Sequence, residues 1–225
     1  DRVAILRKNR PKFPTVPVMQ DLPPEKHRKT FVMIRGSFLQ KGKQVTAGFP
    51  AGFHVARKGL PRTRLGVADW VTDAQNPLTA RVAANRFWSH LSGRGLVTTE
   101  EDFGTQGEPP SHPLLLDWLA TEFTRTGWNI KGLLRTIVSS HTYQQSARVT
   151  PQALATDPTN VWLGRAPRFR LAAETIRDQA LSIAGLLDRR MGGPSVYPFQ
   201  PPGLWQAAFN GQRKWPTSSG SQKHR

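Results

Sequence analysis

No cysteine occurs in the 225 residues. That excludes a disulfide framework, a thiolate metal site and a cysteine nucleophile, and it does not choose a compartment. No apolar run approaches the roughly 20 residues that a membrane-spanning helix needs. The chain opens at Asp1 in polar sequence rather than at Met, so it reads as an excised piece and the lack of a leader carries no information. A serine elbow, a P-loop, an HExxH pair and a GxGxxG loop are all missing, so no complete signature of a common enzyme is present. Acidic residues are scarce: 15 Asp and Glu stand against 32 Lys and Arg, a formal net charge of +17. Such a balance favours polyanions, whether nucleic acid, anionic lipid or acidic polysaccharide. The charge is spread along the chain rather than striped on one helix, which favours a solvated basic surface over a nucleic-acid interface.

Hydrophobic residues make up 37%, and Pro and Gly number 19 each, so much of the chain is expected to be loop. The length suits one domain, or one domain with an arm, able to bury a core without staples. Near the N-terminus, residues 15–19 read as an edge strand because Pro17 lacks a ladder donor. Thr30–Ile34 is a better strand, β-branched and aromatic. Lys41-Gly42-Lys43 reads as a turn before an extended stretch from Gln44 to Phe53. Two strands alone are marginal, so they are expected to lie on helices. A short helix over Leu65–Thr72 would turn Leu65, Ala68, Trp70 and Val71 inward. Asn76-Pro77 is a helix start, with Asn as cap and Pro in the first turn. Leu78, Val82, Ala84, Phe87, Trp88 and Leu91 then give an apolar surface wide enough to need packing on more than one side. Gly93 and Gly95 end that helix.

A further helix starts at Ser111, with Leu115, Trp118, Leu119 and Phe123 as its inner face. Trp128–Ser140 carries Ile130, Leu133, Leu134, Ile137 and Val138. After a Gln-, Ser-, Thr- and Pro-rich loop, Leu171–Leu187 is a long helix with Ile176, Ala180, Ile183 and Leu187 at helical spacing. The expected fold is therefore mainly α, an irregular multi-helix domain with a small N-terminal β-hairpin element and long Pro/Gly-rich loops. The expected partition is a basic arm with the β element and a linker (residues 1–60), a helical domain (61–193) and a Pro- and aromatic-rich extension (194–225).

Between Asn76 and Glu122 lie six acids, and no Lys or Arg falls between Arg94 and Arg125. The loop inside this stretch carries Glu100, Glu101, Asp102 and Glu108. A hard cation takes several oxygen ligands from such a loop, but the spacing matches no EF-hand. Pairing of Asp102 or Glu108 with Arg81 or Arg86 from the preceding helix is the favoured reading, and no metal site is assigned. His112 falls at the start of a helix, where the positive dipole end favours a neutral ring. Glu108 and His112 could therefore act as an acid–base pair, with Asp102 orienting and Arg86 stabilising charge. The plainer alternative is that His112 bonds to loop backbone. Arg81, Trp205 and Trp215 are candidate ligand contacts, the two indoles as platforms for sugar rings.

These residues carry a resemblance. Asn76–Val82, Asn85-Arg86 and Trp88 resemble the hallmark of a C-terminal domain of large planctomycete-type bacterial proteins, often fused to a planctomycete cytochrome c domain. The likeness continues through Gly93–Val97, Asp102-Phe103-Gly104, Gly107–Pro113 and Leu116–Ala120. It takes in Glu174 with Ile176-Arg177-Asp178, then Gly192–Ser195 and Gln200–Trp205, and upstream Phe31–Gly36. The domain has no established catalytic residues to carry over. The resemblance implies an extracytoplasmic or periplasmic bacterial protein. It implies other domains of the parent protein as partners, haem on a separate domain rather than a cofactor in this chain, and a connection with polysaccharide.

Three functions stay open at this point. The first is a binding or scaffold module engaging polysaccharide or a haem-bearing partner domain. The second is a polysaccharide hydrolase or lyase using Glu108 and His112. The third, resting on charge alone, is non-specific nucleic-acid binding. The family pattern runs on past Arg225, so an exposed apolar patch is expected near residues 200–215.

Overall fold

Capping side chains mark where the helices begin. Asn76 Oδ1 accepts from the backbone N–H of Leu78 at 2.9 Å and of Thr79 at 3.1 Å. Thr63 Oγ1 accepts from Gly66, Asn129 Oδ1 from Gly132 and Ser140 Oγ from Tyr143. Each satisfies a donor that the first helical turn leaves free. The computed structural model describes residues 16–207, 211–212 and 214–225. Its helices are α1 (Arg64–Val71), α2 (Thr79–Ser92), α3 (Pro113–Arg125), α4 (Ile130–Val138), α5 (His141–Gln144), α6 (Pro151–Thr156), α7 (Ala173–Ile183) and α8 (Leu204–Ala207). The strands β1 (Thr30–Met33) and β2 (Lys41–Val45) pair antiparallel, Thr30 with Val45 and Phe31 with Gln44. The fold is thus mainly α with a small hairpin near the N-terminus, as expected. The chain divides into two compact units, Asp1–Ala166 and Pro167–Arg225.

In the first unit, α2, α3 and α4 enclose a core of Ala84, Trp88, Leu96, Val97, Leu116, Leu119, Phe123, Leu133 and Ile137. Gly93 adopts φ 73° and its N–H reaches Ser89 O, closing α2 as a left-handed cap. Pro113 sits in the first turn of α3 with His112 at its N-cap, so the helix begins two residues later than Ser111. Trp128 is left-handed at φ 61° and packs edge-on against Phe123, with ring centres 5.1 Å apart.

Several side-chain directions differ from expectation. Leu65 on α1 is exposed, while Trp70 is buried. Trp118 on α3 is 52% exposed, because the buried face runs through Leu116, Leu119, Ala120 and Phe123, one residue on from the expected stripe. Lys41-Gly42-Lys43 is not a turn but the start of β2; residues 34–40 connect the strands, and within them Arg35 and Gly36 have φ 51° and 75°. No hairpin residue is buried, so helices do not cover the two strands. Residues 16–19 form no strand, and Thr15 with the rest of the arm's first residues lies outside the described part.

In the second unit, α7 is shorter than the expected Leu171–Leu187 and none of its residues is buried. Arg177 of α7 donates to the carbonyls of Lys223 and Arg225. Beyond the helix, Asp188 N–H reaches His224 O at 2.9 Å, and Arg190 donates to both Asp188 and Ser221. Among the described residues, no helix is long and apolar enough to cross a membrane.

Candidate functional site

The loop between α2 and α3 is held by side chains that bond to its backbone. Asn85 is fully buried on α2, and its amide forms a two-way bond with Val97: Nδ2 donates to Val97 O and Oδ1 accepts from Val97 N–H, both at 2.9 Å. A side chain here takes the place of a strand neighbour. Gly95 passes so close that a Cβ would lie 2.4 Å from Val97 O and 2.7 Å from Asn85 Nδ2. Further on, Thr99 Oγ1 donates to Asp102 O and accepts from Glu108 N–H, and Ser111 N–H reaches Leu96 O. A Cβ on Gly107 would lie 2.0 Å from Asp102 O. Phe103 anchors the loop on the core.

This loop spends the expected acids differently from one another. Asp102 Oδ1 accepts from Gly104 N–H at 2.7 Å, a turn contact rather than a bond to arginine. Arg81 pairs instead with Asp117 at 2.6 Å and also donates to Pro77 O. The Arg81 guanidinium hydrogen-bonded to Asp117 holds that carboxyl below its usual range, outweighing the small desolvation that acts the other way. Glu100 accepts from Ser89 Oγ. Arg86 meets both oxygens of Glu101 loosely, at 3.3 and 3.4 Å. Glu108 is exposed, and its carboxylate makes no ion pair with His112 or Arg86; His112 Nδ1 lies 3.0 Å from Ser111 Oγ. Glu108, His112, Asp102 and Arg86 are therefore not joined by bonds into one constellation. Among the described residues, no three acidic or histidine side chains gather to hold a metal ion.

In the second unit, Trp205 and Trp215 stack on each other with centres 5.1 Å apart and planes 15° apart, and Tyr197 packs edge-on against Trp215. Trp215 Nε1 donates to Pro198 O, and Trp205 Nε1 to Gln200. One face of each indole is thereby occupied by the other. Trp118 and Trp162 are the more exposed indoles.

An open groove of the first unit lies elsewhere, along the other side of α2. Ala80, Ala84, Asn85 and Trp88 point to the interior. Thr79, Val82, Ala83, Arg86, Phe87 and His90, three and four apart, share the opposite side and line a groove of about 590 Å³. Trp70 and Val71 of α1, Asn76 and Leu78 of the connection, and Phe53 complete its walls. The floor is apolar, and the charged and polar side chains Arg86 and His90 belong to the last two turns of α2. Phe49, Phe53 and His54 gather around Trp70: His54 stacks on it at 4.8 Å and 7°, and Trp70 Nε1 donates to His54 O at 3.3 Å. Neither ring nitrogen of His54 has a hydrogen-bond partner.

Of the groove residues, only Arg86 stands among the site candidates read from the sequence. Val82 and Phe87 are legible as part of the apolar surface of α2; Phe87 and Ala83 also pack against the core, so they stand between core and groove. A family described as PSD1: Protein of unknown function (DUF1553) matches residues 63–225. No curated protein and no solved structure matches the chain.

Proposed function

Because the chain belongs to the PSD1 family, whose function is unknown, we propose from the geometry that it is a binding module and not a self-contained catalyst. The observation that carries this reading is the apolar groove along α2. Its volume lies within the roughly 300–1,000 Å³ of small-molecule sites, and an apolar lining with few polar groups is their usual chemistry. Support for the hydrolase alternative is weaker, since Glu108 and His112 share no bond and Asp102 is committed to its turn. In the setting that the resemblance implies, the module sits in a larger extracytoplasmic bacterial protein beside a haem-bearing domain, with polysaccharide engaged through the wider basic surface.

A neutral fluorescent probe, N-phenyl-1-naphthylamine, tests the groove. Saturable binding is expected in the native chain. It should be lost in Ala83→Phe, which fills the groove, and kept in Leu114→Ser, an exposed position that does not line it. No saturable binding, or equal binding in both variants, would remove the groove reading.

A further inference from the structure

We infer that the ligand of this groove is an anionic amphiphile: an apolar chain or ring lying on Val82, Ala83 and Phe87, with a carboxylate head held by Arg86 and His90. This rests on the groove being a binding site, and it adds the chemical class.

Polar residues stand at both ends of the groove, but the Asn76 and Thr79 oxygens at the start of α2 are bonded to backbone, and the cationic guanidinium lies towards the other end, beside His90. Arg86 and His90 are four apart on α2, so their side chains neighbour each other on one side of the helix. Both belong to the groove lining and both can donate N–H bonds to one anion. The chain itself shows which group the guanidinium accepts. Glu101 presents both carboxylate oxygens to Arg86 Nη2, at 3.3 and 3.4 Å, longer than the 2.7–2.9 Å of a tight charge-assisted bond. The Glu101 side chain is 89% exposed and that of Arg86 52%, so the contact is screened and exchangeable. A ligand carboxylate arriving with its apolar tail already in the groove takes the place of Glu101. That exchange conserves charge pairing at Arg86 and adds the burial of the tail.

A small ligand fits better than a protein partner. Eleven described residues line the groove, whereas a stable protein–protein interface engages roughly 20–30 residues a side. Sequence charge agrees in sign, since the chain carries +17 and attracts anions at long range.

Calorimetric titration of the full chain with decanoate, decanol and decyltrimethylammonium, each below its aggregation concentration, separates the possibilities. Decanoate should bind roughly fivefold more tightly than decanol, the upper range for one exposed ion pair, and the cation should bind most weakly. Arg86→Gln should abolish the preference of decanoate over decanol. Glu101→Gln should move the other way and strengthen decanoate alone, because the internal competitor is gone. A merely structural role for the pair would shift all three ligands together in both variants. If decanol and decanoate bind equally and neither variant separates them, the carboxylate inference is overturned while the groove stands. If none of the three binds, the groove reading itself falls, and retention of an acidic peptide instead would also overturn the inference in favour of a macromolecular partner.

Discussion

Asn85 shows how one residue can fix a loop. Its amide answers both backbone groups of Val97, a residue that is itself buried. Removing the amide strands a buried donor and a buried acceptor, each costing about 1–3 kcal/mol when left unpaired. Asn85→Ala should therefore lower stability by about 2–6 kcal/mol, read as a lower urea midpoint at unchanged slope. Gly95→Ala should destabilise as well, because its Cβ meets Val97 O and the Asn85 amide well inside contact distance. The two effects should not add. With the amide gone, residues 95–97 are free to move away from α2, so Gly95→Ala should cost less in the Asn85→Ala background, by about 1 kcal/mol or more. Additivity within about 0.5 kcal/mol would show that the glycine and the asparagine act on separate parts of the loop.

At the scale of the helices, the ends were more legible than the faces. Asn76, Pro113, Gly93 and Gly127 punctuate α2 and α3 by chemistry that a sequence shows directly: a cap that accepts, a ring that needs no donor, a residue that tolerates positive φ. Faces depend on phase. Leu114, Leu115 and Leu116 are consecutive, so an apolar stripe can be drawn through α3 in two phases that differ by one residue. The expected stripe included Trp118, and the observed one includes Leu116 and Ala120 instead. Substitution distinguishes the two phases in solution. Leu119→Ala should cost about 3 kcal/mol through lost burial and a residual cavity. Trp118→Ala should cost less than about 1 kcal/mol despite deleting a larger side chain, because the indole is half-exposed and not part of the buried core. A larger loss from Trp118→Ala than from Leu119→Ala, measured by chemical denaturation, would mean that the indole is the buried member. The groove was harder to read for a related reason. Val82 and Phe87 were visible as part of an apolar surface on α2 too wide for one partner, but Phe53 and Trp70 come from other segments, and no local pattern announces that they meet it. Among the acid–base candidates, spacing could not show which hydrogen bond would take Asp102. Asp102 turned to Gly104, two residues away, rather than to a helix.

On the scale of the whole chain, burial is distributed unevenly between the two units. The buried hydrophobic residues fall between Trp70 and Ile137, all in the first unit, and no described residue of Pro167–Arg225 is buried. Ile176, Ala180 and Ile183 were read correctly as one helix, yet spacing tells which residues share a side and not what covers it. Ile183 is 82% exposed, and Met191 and Phe199 are also open to solvent. The eleven residues of α7 fall short of the roughly 12–15 that let even a strong helix former persist alone. Its N-cap, Ala172, offers no side-chain acceptor. The hydrogen bonds from Arg177 to backbone carbonyls add little, since each is worth only about 0.5–1.5 kcal/mol net. Local stability follows buried apolar contact, so α7 should open far more often than α3. Native-state hydrogen exchange should show amides of Ala173–Ile183 exchanging roughly a hundredfold or more faster than those of Leu116–Phe123, after correction for intrinsic rates. That ratio corresponds to about 2.7 kcal/mol in opening free energy. Arg177→Ala should speed exchange in the second unit and leave α3 unchanged. Equal protection of α7 and α3 in the isolated native chain would mean that α7 is covered in solution, and that its exposed isoleucines have found a partner surface, in a second copy of the chain or in another part of the protein.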